Sequence, residues 1–364
     1  MTETLDRQLL DALVAIPAVS GHEDRMIAFL REKLDRYGDV HVDGIGNTSV
    51  ALGPSDQRRL MVFAHMDQLG LCVRRLGDDG FLRVDRIGGV NRKALVARPV
   101  LVHTNDGRSH PASIGVMAHH LTPDAQRFVV PDVAELYVDV GASSRADLEA
   151  MGIAVGDPIT FAPATSALGD HRYRAGALDN RVGVFILLET LRSLGGHRLP
   201  CQLHAVFTVQ EEFNVRGSEP AARRIDPSAA VCLDIAVPGD TPDLVGQNDV
   251  RLGSGPTVRR MSFHGRGTLG GLIPNPGLVR HAEASARAAG VPLQLEASIG
   301  GLTDASFLQL LHEGIPAIDV GVPARYTHTP IEMVDLRDVA QAVALVRTMV
   351  SSFDDGVDLR RGTA

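Results

Sequence analysis

Six residues carry the chemistry this chain could perform: His65, Asp179, Glu211, Glu212, Asp234 and His328, which together offer two imidazoles and four carboxylates. His65 closes the apolar run LMVFA, and Asp67 follows two residues later. A histidine there serves either as a structural group or as a ligand, and the His-x-Asp spacing supplies a carboxylate that could fix the ring nitrogen opposite a metal. Asp179 precedes an apolar helical stretch and reads either as a helix cap or as a carboxylate aimed beyond the carboxyl end of a sheet. Glu211 and Glu212 are adjacent acids directly after the strand-like LHAVFTV, where repulsion and desolvation demand either a solvated turn or a cation. One glutamate holding a metal while its neighbour handles a proton accounts for the doublet. Asp234 ends the run AAVCL, and His328 lies in PARYTHTP, where Pro323 and Pro330 exclude helix. Taken together, these mixed nitrogen and oxygen donors suit zinc, cobalt or manganese, and one bridging carboxylate can hold two divalent ions about 3.5–4 Å apart. The remaining histidines, among them His22, His41, His103, His119, His120, His171, His204 and His264, lack such spacing, and exposed loop or interface positions are expected for those of the central segment.

Positioning such a set requires strands whose ends converge. Helices are predicted from Leu9 to Val14 and from a capping box at Ser20 and Glu23 up to Gly38. Strands are predicted over Val40–Val50 and Leu60–Ala64, the second a continuous apolar run suited to a sheet covered on both faces. From Leu71 to Pro163 the texture changes to short β-type runs broken by Gly, Asp and Asn. After it, strands at 203–209, 229–233 and 315–320 alternate with helices at 182–194, 278–289 and 336–353, which implies a helix-covered, mostly parallel α/β sheet. The expected organisation is a catalytic α/β domain formed by residues 1–70 and 164–364, with a small β-rich domain, residues 71–163, inserted between them.

The 364-residue length supports two packing units. A net charge of −8, from 36 Lys plus Arg against 44 Asp plus Glu, argues against a broad nucleic-acid-binding face. Cys72, Cys201 and Cys232 are odd in number and far apart, so neither a disulfide framework nor a structural zinc site is expected. The N-terminal stretch has no basic region leading into an apolar run, and no segment reaches the roughly 20 apolar residues of a membrane span. The chain reads as cytoplasmic, with no membrane partner.

At the residues named above the sequence resembles the TET-type dinuclear aminopeptidases, peptidase family 42 of the metallo class, which includes glutamyl and deblocking aminopeptidases. The likeness runs through VSGHED, AHMDQLG, GALDNRVGV, VQEE, CLDIAV, LGSGP, GGLTDA and PARYTHTP, in that order and over essentially the whole chain. The resemblance implies two divalent metal ions per subunit, with Asp179 bridging them, His65 and Asp234 completing one site, and Glu212 and His328 completing the other. It further implies Glu211 as general base, Asp67 as the orienting partner of His65, and a cis peptide between Asp179 and Asn180. The inserted domain would be a PDZ-like barrel that mediates dimerisation within a homo-oligomer, up to a tetrahedral dodecamer, acting on peptides. Two positions depart from the family pattern: Asn214 stands where the family usually has Gly, and Leu302 is an extra residue in Gly300-Gly301-Leu302-Thr303-Asp304. The implied activity is removal of N-terminal residues from peptides. The alternatives are an amidohydrolase or deacylase using the same ions on a non-peptide amide, and an inactive assembly protein. The last would be marked by loss of a ligand or the base, and all are present.

Overall fold

Runs that are apolar throughout, such as LMVFA and AAVCL, cannot sit at a solvent-facing sheet, and the chain buries them between two helical layers. In the computed structural model, which describes residues 5–265 and 270–362, strand Arg59–His65 lies between Gln202–Thr208 and Ala229–Ala236, and the latter pairs with Ala317–Arg325; all three pairings are parallel. Alternate residues of Arg59–His65 face opposite layers. Leu60, Val62 and Ala64 pack with Phe185 and Leu187 of helix Leu178–Leu194, while Met61 and Phe63 pack with Ala221 and Ile225 of helix Ser218–Ile225. Outside this parallel centre the sheet is mixed: Thr48–Leu52 joins one side antiparallel, and Glu332–Asp335 and Arg172–Ala175 extend the other side antiparallel. Thr257–Phe263 branches from Ala317–Arg325 and runs parallel to Gln294–Ile299.

Between the halves of this sheet, six strands drawn from Gly70–Leu76 through Pro158–Phe161 pair antiparallel in a closed barrel. The barrel has its own core, including Leu71, Val84, Val102, Val138 and Ile159. Among the described residues no helix is long and apolar enough to cross a membrane. Residues 1–4, part of the N-terminal stretch read for a leader, lie outside the described residues.

Several local expectations are corrected. The second helix begins at Asp24, and Ser20 does not cap it: its hydroxyl donates to Asp67 at 2.6 Å, while Glu23 accepts from the N–H of Gly21 and of Gln210. The strand expected over Val40–Val50 is a hairpin of His41–Val42 and Thr48–Leu52, because the Asp43 carboxylate accepts from the N–H of Ile45, Gly46 and Asn47 and turns the chain. His103 is buried, with its ring between Ser109 and Thr160, because its barrel strand points it inward. All three cysteines are free; Cys201 and Cys232 are buried and Cys72 is half-buried.

Candidate metal centre

Parallel pairing brings strand ends to one edge, so residues at or just past those ends meet. His65 is the last residue of its strand and pairs in register with Thr208, which places Glu211 and Glu212 immediately beyond the same edge. Asp234 lies inside strand Ala229–Ala236, which continues two residues past it. Asp179 stands at the start of helix Leu178–Leu194, where Asp179 and Asn180 are not helical and the peptide between them is cis. Asp179 therefore does not serve as the helix cap. Asn180 secures the turn: its Nδ2 donates to the carbonyl of Leu233 at 2.8 Å and its Oδ1 accepts from the N–H of Gly183 at 3.0 Å. His328 sits in the loop between the strands Ala317–Arg325 and Glu332–Asp335, at φ 63°.

The six side chains come together on one cavity of about 1090 Å³. Asp179 is central: its Oδ1 lies 3.3 Å from Nε2 of His65 and its Oδ2 lies 3.4 Å from Nε2 of His328. His328 Nε2 is also 3.9 Å from Glu212, and His65 Nε2 is 3.8 Å from Glu211. Two donor groups result, His65 with Asp179 and Asp234, and Asp179 with Glu212 and His328; within each, one potential ligand atom per residue lies within 4.8 Å of the others. Asp67 lies 3.3 Å from Nδ1 of His65 and accepts from the N–H of Glu211 at 3.0 Å and of Glu212 at 3.1 Å, so one buried carboxylate faces the imidazole and holds the main chain of the glutamate doublet.

The electrostatics are those of acids and imidazoles crowded together out of water. Burial opposes a charged His65, yet Glu211, Asp179 and Asp67 outweigh it and raise that imidazole well above its ordinary range. Burial likewise opposes protonation of His328, but Asp179 and Glu212 push it up to about 10. The acids are strained in the same sense: burial and Asp179 push Glu212 up to about 8, burial and the same neighbour push Asp234 up to about 7 despite His65, and burial raises Glu211 well above the usual carboxylate range. Asp179, by contrast, is held low, because both imidazoles outweigh its burial. Among the described residues the buried Glu212 Oε1 has no hydrogen-bond partner. Crowded carboxylates, two facing imidazole nitrogens and an orphaned oxygen fit a site that holds metal cations.

The inserted barrel also reaches the site. Nδ1 of His328 lies 2.9 Å from the carbonyl of Gly89, and Arg86, Gly88 and Gly89 line the cavity. Leu302 and its neighbours Gly300 and Gly301 also line the cavity. His264, given no role from spacing, is also on that cavity. Asn214 adopts φ 75°, the left-handed conformation its side chain tolerates, so the turn after the glutamates survives without glycine.

Sequence reasoning missed Glu332, Ser20 and Gly89. Glu332 accepts from the N–H of Asp179 at 2.9 Å and of His328 at 2.8 Å, and burial together with Asp179 pushes it up to about 8. Ser20 supports Asp67, as described above. Only a partner-seeking residue type flagged them, and their partners are distant in sequence.

The family model for M42 glutamyl aminopeptidases matches residues 19–345. The lysyl aminopeptidase of Pyrococcus furiosus is 33% identical over 353 residues, which cover 95% of this chain and 97% of that protein. Among solved structures, an aminopeptidase from the archaeon Desulfurococcus kamchatkensis superposes with a TM-score of 0.89 at 35% identity, covering 95% of this chain and 94% of that one. The Pyrococcus horikoshii TET1 peptidase, which can assemble into a tetrahedron or a large octahedral shell, superposes with a TM-score of 0.86 at 29% identity, covering 95% and 99%. The chain accordingly belongs to the M42 glutamyl aminopeptidase family and is a metal-dependent aminopeptidase, a hydrolase of peptide bonds.

Proposed function

We propose that the enzyme removes N-terminal residues from peptides with two divalent ions, zinc foremost with cobalt or manganese as substitutes, held by His65, Asp179 and Asp234 on one side and by Asp179, Glu212 and His328 on the other. The observation that carries this reading is Asp179, whose two carboxylate oxygens face different imidazoles. Bound there, the ions would supply the positive charge that polarises a scissile carbonyl and acidifies a water. Glu211 takes the proton of that water and passes it to the leaving amine. Its position suits the task, because Asp67 holds its main chain and the crowded acids around it favour a carboxylate that accepts protons readily. Asp67 also orients His65 and so acts as a positioning residue.

The same reading assigns residues 1–70 and 164–364 to the catalytic domain and residues 71–163 to an inserted barrel domain that contributes to homo-oligomer formation. The assembly of the Pyrococcus horikoshii relative supports an oligomer, and the barrel excursion exposes Leu121, Phe128 and Val129. Free cysteines throughout suit a reducing compartment such as the cytoplasm. The test is a screen of the metal-reconstituted enzyme against aminoacyl anilides, free peptides of graded length and N-acyl amino acids. Cleavage of the first two classes alone is expected; cleavage of N-acyl amino acids alone would replace this reading with a deacylase.

A further inference from the structure

Glu332 is a buried carboxylate, 2% exposed, and among the described residues no arginine or lysine pairs with it. Taking such a group out of water without a cation is costly, and a residue kept only for packing would be apolar. Its two oxygens are instead spent on two main-chain donors: Oε2 accepts from the N–H of Asp179 and Oε1 from the N–H of His328. Neither donor has a partner in regular structure. The N–H of Asp179 belongs to the first turn of its helix, where no intrahelical acceptor exists, and His328 lies in a loop at φ 63°. Glu332 itself is fixed, because its strand pairs antiparallel with Arg172–Ala175 and places it opposite Ala175.

These two main-chain segments carry the side chains that meet across the site, with Oδ2 of Asp179 and Nε2 of His328 at 3.4 Å. We infer that Glu332 is a positioning residue, clamping the backbones of Asp179 and His328 so that their side chains keep the spacing two metal ions need. The inference rests on the dinuclear reading above. A glutamine cannot replace the clamp, since its amide offers one acceptor and sets an NH₂ against the second N–H. An aspartate keeps both acceptors but falls a methylene short.

The test is cobalt titration of metal-free wild-type, Glu332→Gln and Glu332→Asp proteins, following binding by calorimetry and by the visible bands of bound cobalt, together with kcat and KM of the loaded enzymes. The Gln variant is expected to bind cobalt 10–100-fold more weakly, the usual reach of groups that orient metal ligands, with altered bands and with the loss in kcat rather than KM. The Asp variant is expected to fall between. Wild-type protein that takes up fewer than two cobalt ions overturns the dinuclear reading and this assignment with it. Wild-type protein that takes up two, beside a Gln variant with the same affinity, bands and kcat, overturns the assignment alone. If the Gln variant does not fold, the Asp variant decides on the same readouts, and wild-type cobalt affinity and bands there overturn it equally.

Discussion

His328 is oriented by Gly89: the Nδ1 of the imidazole lies 2.9 Å from a carbonyl oxygen in the segment just past the barrel strand Phe81–Ile87. Donation of the Nδ1 hydrogen to that carbonyl points Nε2 at Asp179 and Glu212, so that Nε2 is the nitrogen a metal ion would take in place of its proton. The barrel is therefore part of the site and not merely attached to it. A side chain at Gly89 would press on the imidazole, since an added Cβ would stand 3.1 Å from Nδ1 and 3.3 Å from Cε1 of His328. Gly89→Ala should tilt the ring and weaken metal binding at the Glu212 and His328 group by about 10-fold, the lower end for loss of a ligand-orienting contact. Isothermal titration with zinc checks this, and an unchanged affinity would show that the ring shifts without consequence.

The two donor groups share Asp179 but differ in every other member, so they can be emptied separately. His328→Ala should leave the ion held by His65, Asp179 and Asp234 and lose the other, whereas His65→Ala should do the reverse. Metal analysis after dialysis should therefore fall from two ions per chain to one in each variant. A variant that keeps both removes its histidine from the ligand set.

Glu211 and Glu212 are neighbours with different surroundings, and their substitutions should separate. Glu212 presents its carboxylate to His328 at 3.9 Å, while Glu211 faces His65 at 3.8 Å and lies outside both donor groups. Glu211→Gln should keep the metal content and lower kcat by about 10²–10⁴-fold, the reach of general-base catalysis. Near-normal turnover with full metal would assign the proton transfer to another group.

The gathering of these side chains could be anticipated from residue types, because acids and histidines at strand ends are conspicuous after largely apolar runs such as LMVFA and LHAVFTV. The change of texture after Leu71 likewise announced a β-rich insertion, while its closure into a barrel depends on strand pairings that the texture does not contain. What stayed hidden depends on partners that a linear pattern does not contain. Glu332 looks like an ordinary strand residue until its acceptors are matched to the main-chain N–H groups of Asp179 and His328. Ser20 and Glu23 mimic a capping box in spacing, yet tertiary donors and acceptors take both side chains. Strand Thr257–Phe263 escaped notice because Arg259 breaks its apolar pattern, and Arg259 is tolerated there through its pairing with Glu296 at 3.4 Å and Asp319 at 3.2 Å and its hydrogen bond to the carbonyl of Ile235.

Acid sensitivity should have a component that is independent of the metal. Burial, with Arg25 adding to it, pulls His103 down to about 4, and both ring nitrogens are engaged at 2.8 Å by Ser109 and Thr160. In the unfolded chain the same ring takes up its proton near about 6.5. Between these values the unfolded state binds more protons than the folded one, so stability rises with pH across the window. The contribution is complete above about 6.5 and is lost as pH falls toward about 4; His204, drawn down to about 4 by burial and by Arg224 and Arg59, acts in the same direction. Urea unfolding of metal-free wild-type and His103→Gln proteins at about pH 7, 5.5 and 4 isolates the His103 part, because contributions from distant groups cancel in the difference. The wild type should lose more stability than the variant on acidification, and parallel losses would mean that His103 is free to protonate in the folded protein.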